Sequence, residues 1–293
     1  MGCLFLKKKY TRDLLEHTKM MECTHINTPK ALKSIITPSD GQPIDPTWYR
    51  QLVGSLQYLT FTRPGIVHAV NKACQHFQAP TKVDLRVVKH ILRYLKGTMG
   101  HGIKFFKKSL LRLISFYDAD WARCTNTKRS SSRYCIFMGA NCISWSSKQQ
   151  PTVSRSSAKI EYQSLASSAI EITWLTFLLQ DIGIQLREPP QLLCDNLNAL
   201  HMTLNPVFLA HSKYIELDHH FVWEKVASGV LITCFLPSSL QVVDIFTKEL
   251  PKTSFQVFRF KLRVHKLPLT SLQGADKGNS NLASIQSMPK QKL

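Results

Sequence analysis

Residues 111–122 read LRLISFYDADWA, and this stretch decides the fold. Its apolar character from Leu111 to Asp118 predicts a strand that ends in a carboxylate. Residues 133–138 and 142–146 have strand character too, and they flank the turn residues Gly139, Ala140 and Asn141. We therefore expect a first strand followed by a hairpin, which makes three antiparallel strands in a row.

The elements after this hairpin alternate between helix and strand. They are a long helix after Ser156 and Ser157, a strand from Gln191 to Asp195, a helix from Asn196, a helix from Tyr214 to Ala227, a strand from Val230 to Phe235 and a short helix that carries Asp244. This order predicts an α/β fold over residues 108–250, with a mixed five-stranded sheet and flanking helices.

The first 107 residues predict a small, mainly helical module. Apolar residues recur at helical spacing from Tyr49 to about Phe77, and Pro64 separates two helices there. A third helix opens at Pro80 and Thr81, and Gly97 ends it. Residues 251–293 form a C-terminal extension that we expect to be disordered after about residue 265, because it is polar and lacks periodicity.

The chain is strongly basic. It has 38 Lys and Arg against 19 Asp and Glu, a net charge of +19. Residues 1–110 contribute 18 − 6 = +12, and residues 111–293 contribute 20 − 13 = +7. An excess of this kind favours contacts with nucleic-acid phosphates that weaken as salt rises. Solubility, or drift in an unselected sequence, is the alternative reading.

Cysteine usage and hydropathy exclude several classes of protein. The eight Cys include no CxxC pair, which argues against a zinc site and a disulfide scaffold and fits a reducing compartment. No apolar run approaches the roughly 18 residues of a membrane span. Gly2 and Cys3 before a run of lysines resemble a lipid anchor, but Leu6 stands where acylation requires Ser or Thr.

Four carboxylates lie at strand ends or on helices of the predicted fold. They are Asp118, Glu161, Asp195 and Asp244. If the first and fourth strands are neighbours, Asp118 and Asp195 share one edge of the sheet. Carboxylates within about 4 Å of each other repel strongly, and bound Mg²⁺ or Mn²⁺ removes that penalty. Two such ions catalyse phosphodiester displacement. Read separately, each acid is a helix cap or a solvated charge.

Other constellations are less well supported. No Asp-Asp pair occurs, so polymerase chemistry is not expected. An integrase-like site could combine Asp118 and Asp195 with Glu224, but the Glu161 helix lies between the two aspartates in the chain. His211, His219 and His220 lack cysteine partners and zinc spacing, so a helix-surface or core role is expected for them.

Several motifs together resemble the C-terminal part of the Pol polyprotein of copia-type LTR retrotransposons over about residues 2–265. They are YRQLVGSL at 49–56, TRP at 62–64, ILRYLKGT at 91–98, DADWA at 118–122, ISWSSK at 143–148, QPTV at 150–153, EY at 161–162, CDN at 194–196 and DIFTK at 244–248. The first three resemble the tail of a reverse transcriptase and its connection. The others resemble a ribonuclease H domain.

The resemblance implies a ribonuclease H-like fold. It matches Asp118, Glu161, Asp195 and Asp244 to the metal-binding and catalytic carboxylates of the family, with Asp120 a weaker candidate for the first position, and two Mg²⁺ or Mn²⁺ ions as cofactors. The expected reaction is cleavage of the RNA strand of an RNA–DNA hybrid, read through 2′-hydroxyls and groove shape. Candidate nucleic-acid contacts are Lys89, Arg93, Lys96, Lys148 and Lys248.

The resemblance also implies partners and a location. The missing polymerase region of a full-length Pol is an expected partner, and no membrane partner is expected. We expect the chain in cytoplasmic virus-like particles or in the nucleus, and not secreted. On this reading residues 1–107 are the remnant of the reverse-transcriptase tail and connection.

Three places depart from the family pattern. Arg123, Cys124 and Thr125 replace a glycine and acids, Arg133 replaces a glycine, and Lys159 lies beside the predicted site. Arg123 and Arg133 could strain turns that favour glycine, and Lys159 could compete for the carboxylates. The leading hypothesis is an endoribonuclease. The alternatives are a catalytically impaired relic that binds nucleic acid and a subdomain that folds only with the missing polymerase.

Overall fold

The structure of the chain is a computed structural model that describes residues 2–30, 41–122, 128–151, 153–154, 156–204, 213–246 and 250–266. The helices are α1 Lys8–His17, α2 Pro46–Leu59, α3 Val67–Cys74, α4 Lys82–Gly97, α5 Ser157–Asp181, α6 Leu197–Leu204, α7 Lys213–Ala227 and α8 Lys252–Lys261. The strands are β1 Gly2–Phe5, β2 His101–Phe106, β3 Leu113–Asp120, β4 Ser131–Met138, β5 Asn141–Gln149, β6 Gln191–Cys194, β7 Ile232–Phe235 and β8 Val264–Lys266. Short 3-10 helices cover Pro64–Ile66, Ser238–Leu240 and Val242–Phe246.

The larger sheet has the predicted mixed topology. Its five strands lie in the order β5-β4-β3-β6-β7. The hairpin strands β4 and β5 extend β3 in the antiparallel sense, whereas β6 runs parallel to β3 and β7 runs parallel to β6. The expectation of an α/β, ribonuclease H-like sheet with flanking helices is therefore confirmed.

Both faces of this sheet are covered. One apolar cluster joins Tyr117 and Ile136 of the sheet to α5, α6 and α7, for example through Leu165. A hydrogen bond of 2.5 Å between the buried hydroxyls of Ser115 and Ser168 also ties β3 to α5. The opposite cluster joins the sheet to α1–α4 and α8. The sheet is thus the middle layer between two layers of helices.

The second cluster runs across the predicted domain boundary. It contains Leu56 and Ile91 from the helical module, Phe116 and Phe137 from the sheet, and Phe255 from α8. The division of the chain at residues 107 and 250 stays a prediction. The packing makes one continuous apolar core of the module and one face of the sheet.

A three-stranded sheet in the helical module is not foreseen from the sequence. Its order is β1-β2-β8, and both pairs are antiparallel. Strands β1 and β2 approach each other closely here, because a Cβ on Gly102 would clash with the backbone oxygen of Phe5. The pairing joins residues about a hundred positions apart, so local patterns cannot reveal it. It also brings β8 of the C-terminal extension into the module.

Two local expectations are corrected. Strand β3 does not end at Asp118, because its ladder with β4 continues to the pair Asp120 and Ser131. The expected turn strain at Arg133 is wrong, because Arg133 lies inside β4 and pairs with Asp118. Arg123, Cys124 and Thr125 lie outside the described residues.

In the part of the chain that the structure describes, none of the helices combines the length and the apolar character needed to cross a membrane.

Candidate active site

Asp118 and Asp195 come from neighbouring parallel strands. The last paired residues of β3 and β6 are Phe116 and Leu193. Asp118 lies two residues beyond the first of these, and Asp195 lies two residues beyond the second. Because parallel strands run to the same edge of a sheet, the two carboxylates are brought to one end of the sheet, as the sequence predicts.

Glu161 reaches this edge from helix α5. The hydroxyl of Ser156 caps the helix by accepting a hydrogen bond of 3.2 Å from the backbone N–H of Lys159. One turn after Glu161, the hydroxyl of Ser164 donates a hydrogen bond of 2.7 Å to the backbone oxygen of Asp118. This contact fixes α5 against β3. Glu161 is only 9% exposed, and its buried Oε2 has no hydrogen-bond partner among the residues that the structure describes.

The surroundings of Glu161 favour its protonated form. Burial, and after it the negative charges of Asp118 and Asp195, raise the pKa of Glu161 from 4.5 to about 8. The charge of Arg133 and a hydrogen bond from the backbone of Ala119 act on this pKa in the opposite direction. The charges of Asp118 and Asp195 thus lie near enough to Glu161 to change its pKa, so three of the four predicted carboxylates interact electrostatically.

Arg133 supplies a buried positive charge at the same place. Its side chain is 1% exposed, and Nη1 lies 3.2 Å from Oδ2 of Asp118. Its Nη2 lies 3.2 Å from Oδ2 of Asp120. One guanidinium therefore bridges both aspartates of the DADWA motif.

Asp244 lies on the 3-10 helix Val242–Phe246, which packs against β3 and β4. Its side chain is buried. The neighbouring Gln241 is fully buried and donates a hydrogen bond of 3.0 Å from Nε2 to the backbone oxygen of Tyr117. The hydrogen bond of Gln241 therefore fixes the start of the Asp244 helix against β3. The role of Asp244 as a metal ligand stays a prediction.

The predicted nucleic-acid contacts have different surroundings. Lys89 of α4 and Lys148 of β5 are exposed. Arg93 donates a hydrogen bond of 2.7 Å to the backbone oxygen of Thr24, and Lys96 donates one of 2.6 Å to that of Cys23. These two side chains hold the segment after α1 against α4. Lys248 lies outside the described residues.

Two other candidates are located by the structure. Lys159 lies in the first turn of α5 and is half-buried. Glu224, the third acid of the integrase-like alternative, lies on α7 with its side chain 68% exposed, and it pairs with Lys225 at 3.2 Å. An exposed acid paired with its chain neighbour is typical of a solvated helix face.

The donor set suits a hard divalent cation. Asp118, Glu161 and Asp195 offer only oxygen, and within the described ranges no donor forms a hydrogen bond with the buried Oε2 of Glu161. Among the residues that the structure describes, no three His, Cys, Asp or Glu side chains approach closely enough to hold one ion. The oxygen-only chemistry of these acids thus suits Mg²⁺ or Mn²⁺, whereas their spacing does not form a closed site, and Asp118 is already paired with Arg133.

The order β5-β4-β3-β6-β7, with β4 antiparallel and β6 parallel to β3, is that of a ribonuclease H-like fold. The chain is 42% identical to the retrovirus-related Pol polyprotein from transposon RE2 of Arabidopsis thaliana and 41% identical to that from transposon RE1, each over 268 residues. It is also 48% identical over 173 residues to an uncharacterized mitochondrial protein of the same plant, covering 59% of this chain and 72% of that protein. The chain belongs to the family of copia-type retrotransposon Pol polyproteins. The matches to the RE1 and RE2 polyproteins cover 91% of this chain, but this chain spans only 18% of the length of each polyprotein.

No protein-family model matches the chain. Among solved structures, it resembles the N-terminal RNase H domain of a Mycobacterium tuberculosis protein with a TM-score of 0.34 and 10% identity, over 51% of this chain and 97% of that chain. It resembles LC11-RNase H1 in complex with an RNA/DNA hybrid with the same TM-score and identity, over 44% of this chain and 88% of that chain.

Sequence reasoning missed the role of Arg133. It identifies the residue as a departure from the family but cannot show that the side chain faces Asp118. The signal is the strand register, because Arg133 and Asp118 are directly opposite in the β3–β4 ladder. A basic residue opposite an acid on adjacent strands predicts such a pair once the register is known.

Proposed function

We propose that this chain is the ribonuclease H-type segment of a copia-type Pol polyprotein and hydrolyses the RNA strand of RNA–DNA hybrids. The observation that carries the proposal is the buried Glu161, whose pKa responds to the charges of Asp118 and Asp195 at the end of the sheet. Membership of the Pol family supports it.

Asp118, Glu161 and Asp195 would hold divalent metal, with Asp244 as the fourth candidate. When bound, Mg²⁺ or Mn²⁺ supplies an activated water and stabilises the leaving oxygen of the phosphodiester. Glu161 carries a proton at neutral pH in the metal-free protein, because its pKa is raised to about 8. Its ionisation therefore accompanies the arrival of a cation.

The basic surface would bind the hybrid. Exposed Lys89 and Lys148 are available for phosphates, and the net charge of +19 attracts a polyanion. Contacts to 2′-hydroxyls and to groove shape would select the hybrid over DNA duplexes. The polymerase region of a longer Pol would be the protein partner, and virus-like particles in the cytoplasm, or the nucleus, the place of action.

The test is cleavage of an end-labelled RNA–DNA hybrid by the full chain with Mg²⁺ or Mn²⁺. We expect the RNA strand to be cut and the DNA strand to stay intact. Asp195→Asn should reduce cutting to background, since it keeps the size of the side chain and removes its charge. Cutting that survives Asp195→Asn, or that proceeds equally in EDTA, would contradict the proposal.

A specific observation favours a second candidate, a protein that binds hybrids without cutting them. The ion pair between Arg133 and Asp118 occupies the first carboxylate of the site. Salt-sensitive binding of the hybrid by the wild type, with no cutting in either metal, would favour this candidate.

A further inference from the structure

Arg133 is placed to act as a fixed cation inside the candidate site. It lies directly opposite Asp118 in the β3–β4 ladder, and its guanidinium is 3.2 Å from Oδ2 of Asp118 and 3.2 Å from Oδ2 of Asp120. The Arg133 side chain is 1% exposed, whereas those of the two aspartates are 13% and 21% exposed. The guanidinium therefore reaches the acids from the protein side, and the acids retain some contact with solvent.

Such a bridge is difficult to break. Charge-assisted hydrogen bonds between arginine and carboxylate are among the stronger ones in proteins, and a buried guanidinium without its acids is strongly disfavoured. Arginine stays charged at any physiological pH. Asp118 is thus neutralised by the chain itself before any metal arrives.

We propose that Arg133 is an internal counter-cation that competes with divalent metal for Asp118, so that metal binds fully only when the guanidinium releases this carboxylate. The proposal rests on the proposed function, because it concerns the metal of the same site. It attributes a reduced affinity for metal to one residue, Arg133 of β4, and leaves the set of predicted ligands unchanged.

The Arg133 guanidinium and a divalent metal ion cannot both bind Asp118 as strongly as each would alone. A metal that binds Asp118 must displace a charge-assisted hydrogen bond and must tolerate a positive charge a few ångströms away. Removing the guanidinium should therefore tighten metal binding by roughly tenfold to a hundredfold, the factor that corresponds to one such bond.

The experiment measures Mn²⁺ binding to the full chain by isothermal titration calorimetry, without nucleic acid. Arg133→Met keeps much of the side-chain volume and removes the charge. We expect it to bind Mn²⁺ roughly tenfold to a hundredfold more tightly than the wild type. Arg112→Met is the matched control, since Arg112 forms an ion pair with Glu188 at 3.3 Å just before β3, and its affinity should equal that of the wild type.

Unchanged or weaker Mn²⁺ binding by a folded Arg133→Met chain overturns the proposal. If that variant is unfolded without metal, Mn²⁺ must restore its circular-dichroism spectrum, and failure to do so overturns it as well. Arg133→Lys is the second variant. Its shorter, single-point charge cannot bridge both aspartates, so we expect a smaller gain in affinity, and no gain counts against the proposal.

The two proposals fail in different ways. Tighter Mn²⁺ binding by Arg133→Met without any cutting of the hybrid supports the counter-cation and contradicts hydrolysis. Cutting by the wild type together with equal Mn²⁺ affinities supports hydrolysis and contradicts the counter-cation.

Discussion

The side-chain amide of Gln241 donates a hydrogen bond of 3.0 Å to the backbone oxygen of Tyr117, the residue before Asp118. Gln241 is fully buried, and the 3-10 helix that carries Asp244 begins directly after it. The contact therefore joins the last candidate carboxylate to the strand that carries the first. Buried hydrogen bonds of this kind, next to a functional site, restrict the positions of its side chains.

We predict that Gln241→Leu destabilises the chain by about 1 kcal/mol, because it removes the buried hydrogen bond that the backbone oxygen of Tyr117 accepts from Gln241. Urea unfolding followed by circular dichroism measures this cost. Gln51→Ala, on the exposed face of α2, is the control and should leave the midpoint unchanged. Equal midpoints for Gln241→Leu and the wild type would mean that the hydrogen bond contributes nothing.

Glu161 should make the metal-free protein less stable as pH rises. Its pKa is raised from 4.5 to about 8, mainly by burial, so folding favours the protonated form. The stability from this group is complete below about pH 4.5 and is lost as pH rises through about 8. The unfolding free energy of the neutral variant Glu161→Gln should therefore rise relative to that of the wild type over this range, by on the order of 5 kcal/mol.

The measurement is urea unfolding of both proteins in EDTA between pH 5 and pH 9. The quantity of interest is the difference in unfolding free energy between them, because other groups also titrate. Glu224→Gln on the exposed part of α7 is the matched control. A difference that stays constant with pH would show that Glu161 titrates as an ordinary glutamate.

His101 should act in the acid range with the opposite sign. Burial, together with the charges of Arg259, Arg63 and Lys266, lowers the pKa of His101 from 6.5 to about 4, and a backbone hydrogen bond with Thr98 opposes the shift. Folding therefore favours the neutral ring. Its contribution is complete above pH 6.5 and is lost as pH falls through about 4.

We therefore expect His101→Gln to weaken the loss of stability between pH 6.5 and pH 4, since glutamine cannot take up a proton there. His17→Gln at the exposed end of α1 is the control. Thermal melting across this pH range gives the result. An equally steep loss in His101→Gln and in the wild type would count against the prediction.

The sheet was predictable because its pattern is local. The alternation of apolar and polar residues in the strands and the turn at Gly139, which has a φ of +57°, depend only on residues that are close together in the sequence. Strand β2 was not predictable, because residues His101–Phe106 become a strand only through partners at the two ends of the described chain. The same holds for Arg133, since its ion pairs depend on a register that only the folded sheet defines.

The site was predictable to a similar extent. Asp195 could be placed just after a strand and Glu161 near the start of a helix, whereas Asp118 lies two residues before the end of β3 and not at its end. The burial of Glu161, whose Oε2 has no hydrogen-bond partner in the described part of the chain, depends on the packing of α5 on β3. Tertiary contacts of this kind set a pKa, and no window of sequence contains them.

The ribonuclease H-like segment 108–250 should not fold well alone. One face of its sheet, with Phe116 and Phe137, packs into the same apolar cluster as the helical module and α8. Asn71 of α3 also donates a hydrogen bond to the backbone oxygen of Ser147 in β5. Cutting the chain at residues 107 and 250 would expose this face to water, and exposed apolar patches of this kind lead to association.

Expression of residues 108–250 beside residues 2–266 tests this prediction. We expect the shorter chain to be largely insoluble, or to bind the dye ANS and lose its cooperative unfolding transition, because the packing partners of the sheet are missing. The longer chain should be soluble and unfold in one transition, since the two parts share a core. Asn71→Ala in the longer chain should be a mild intermediate case. A soluble 108–250 segment with a sharp transition would mean that the sheet and α5–α7 suffice, and that the helical module is a separate folding unit.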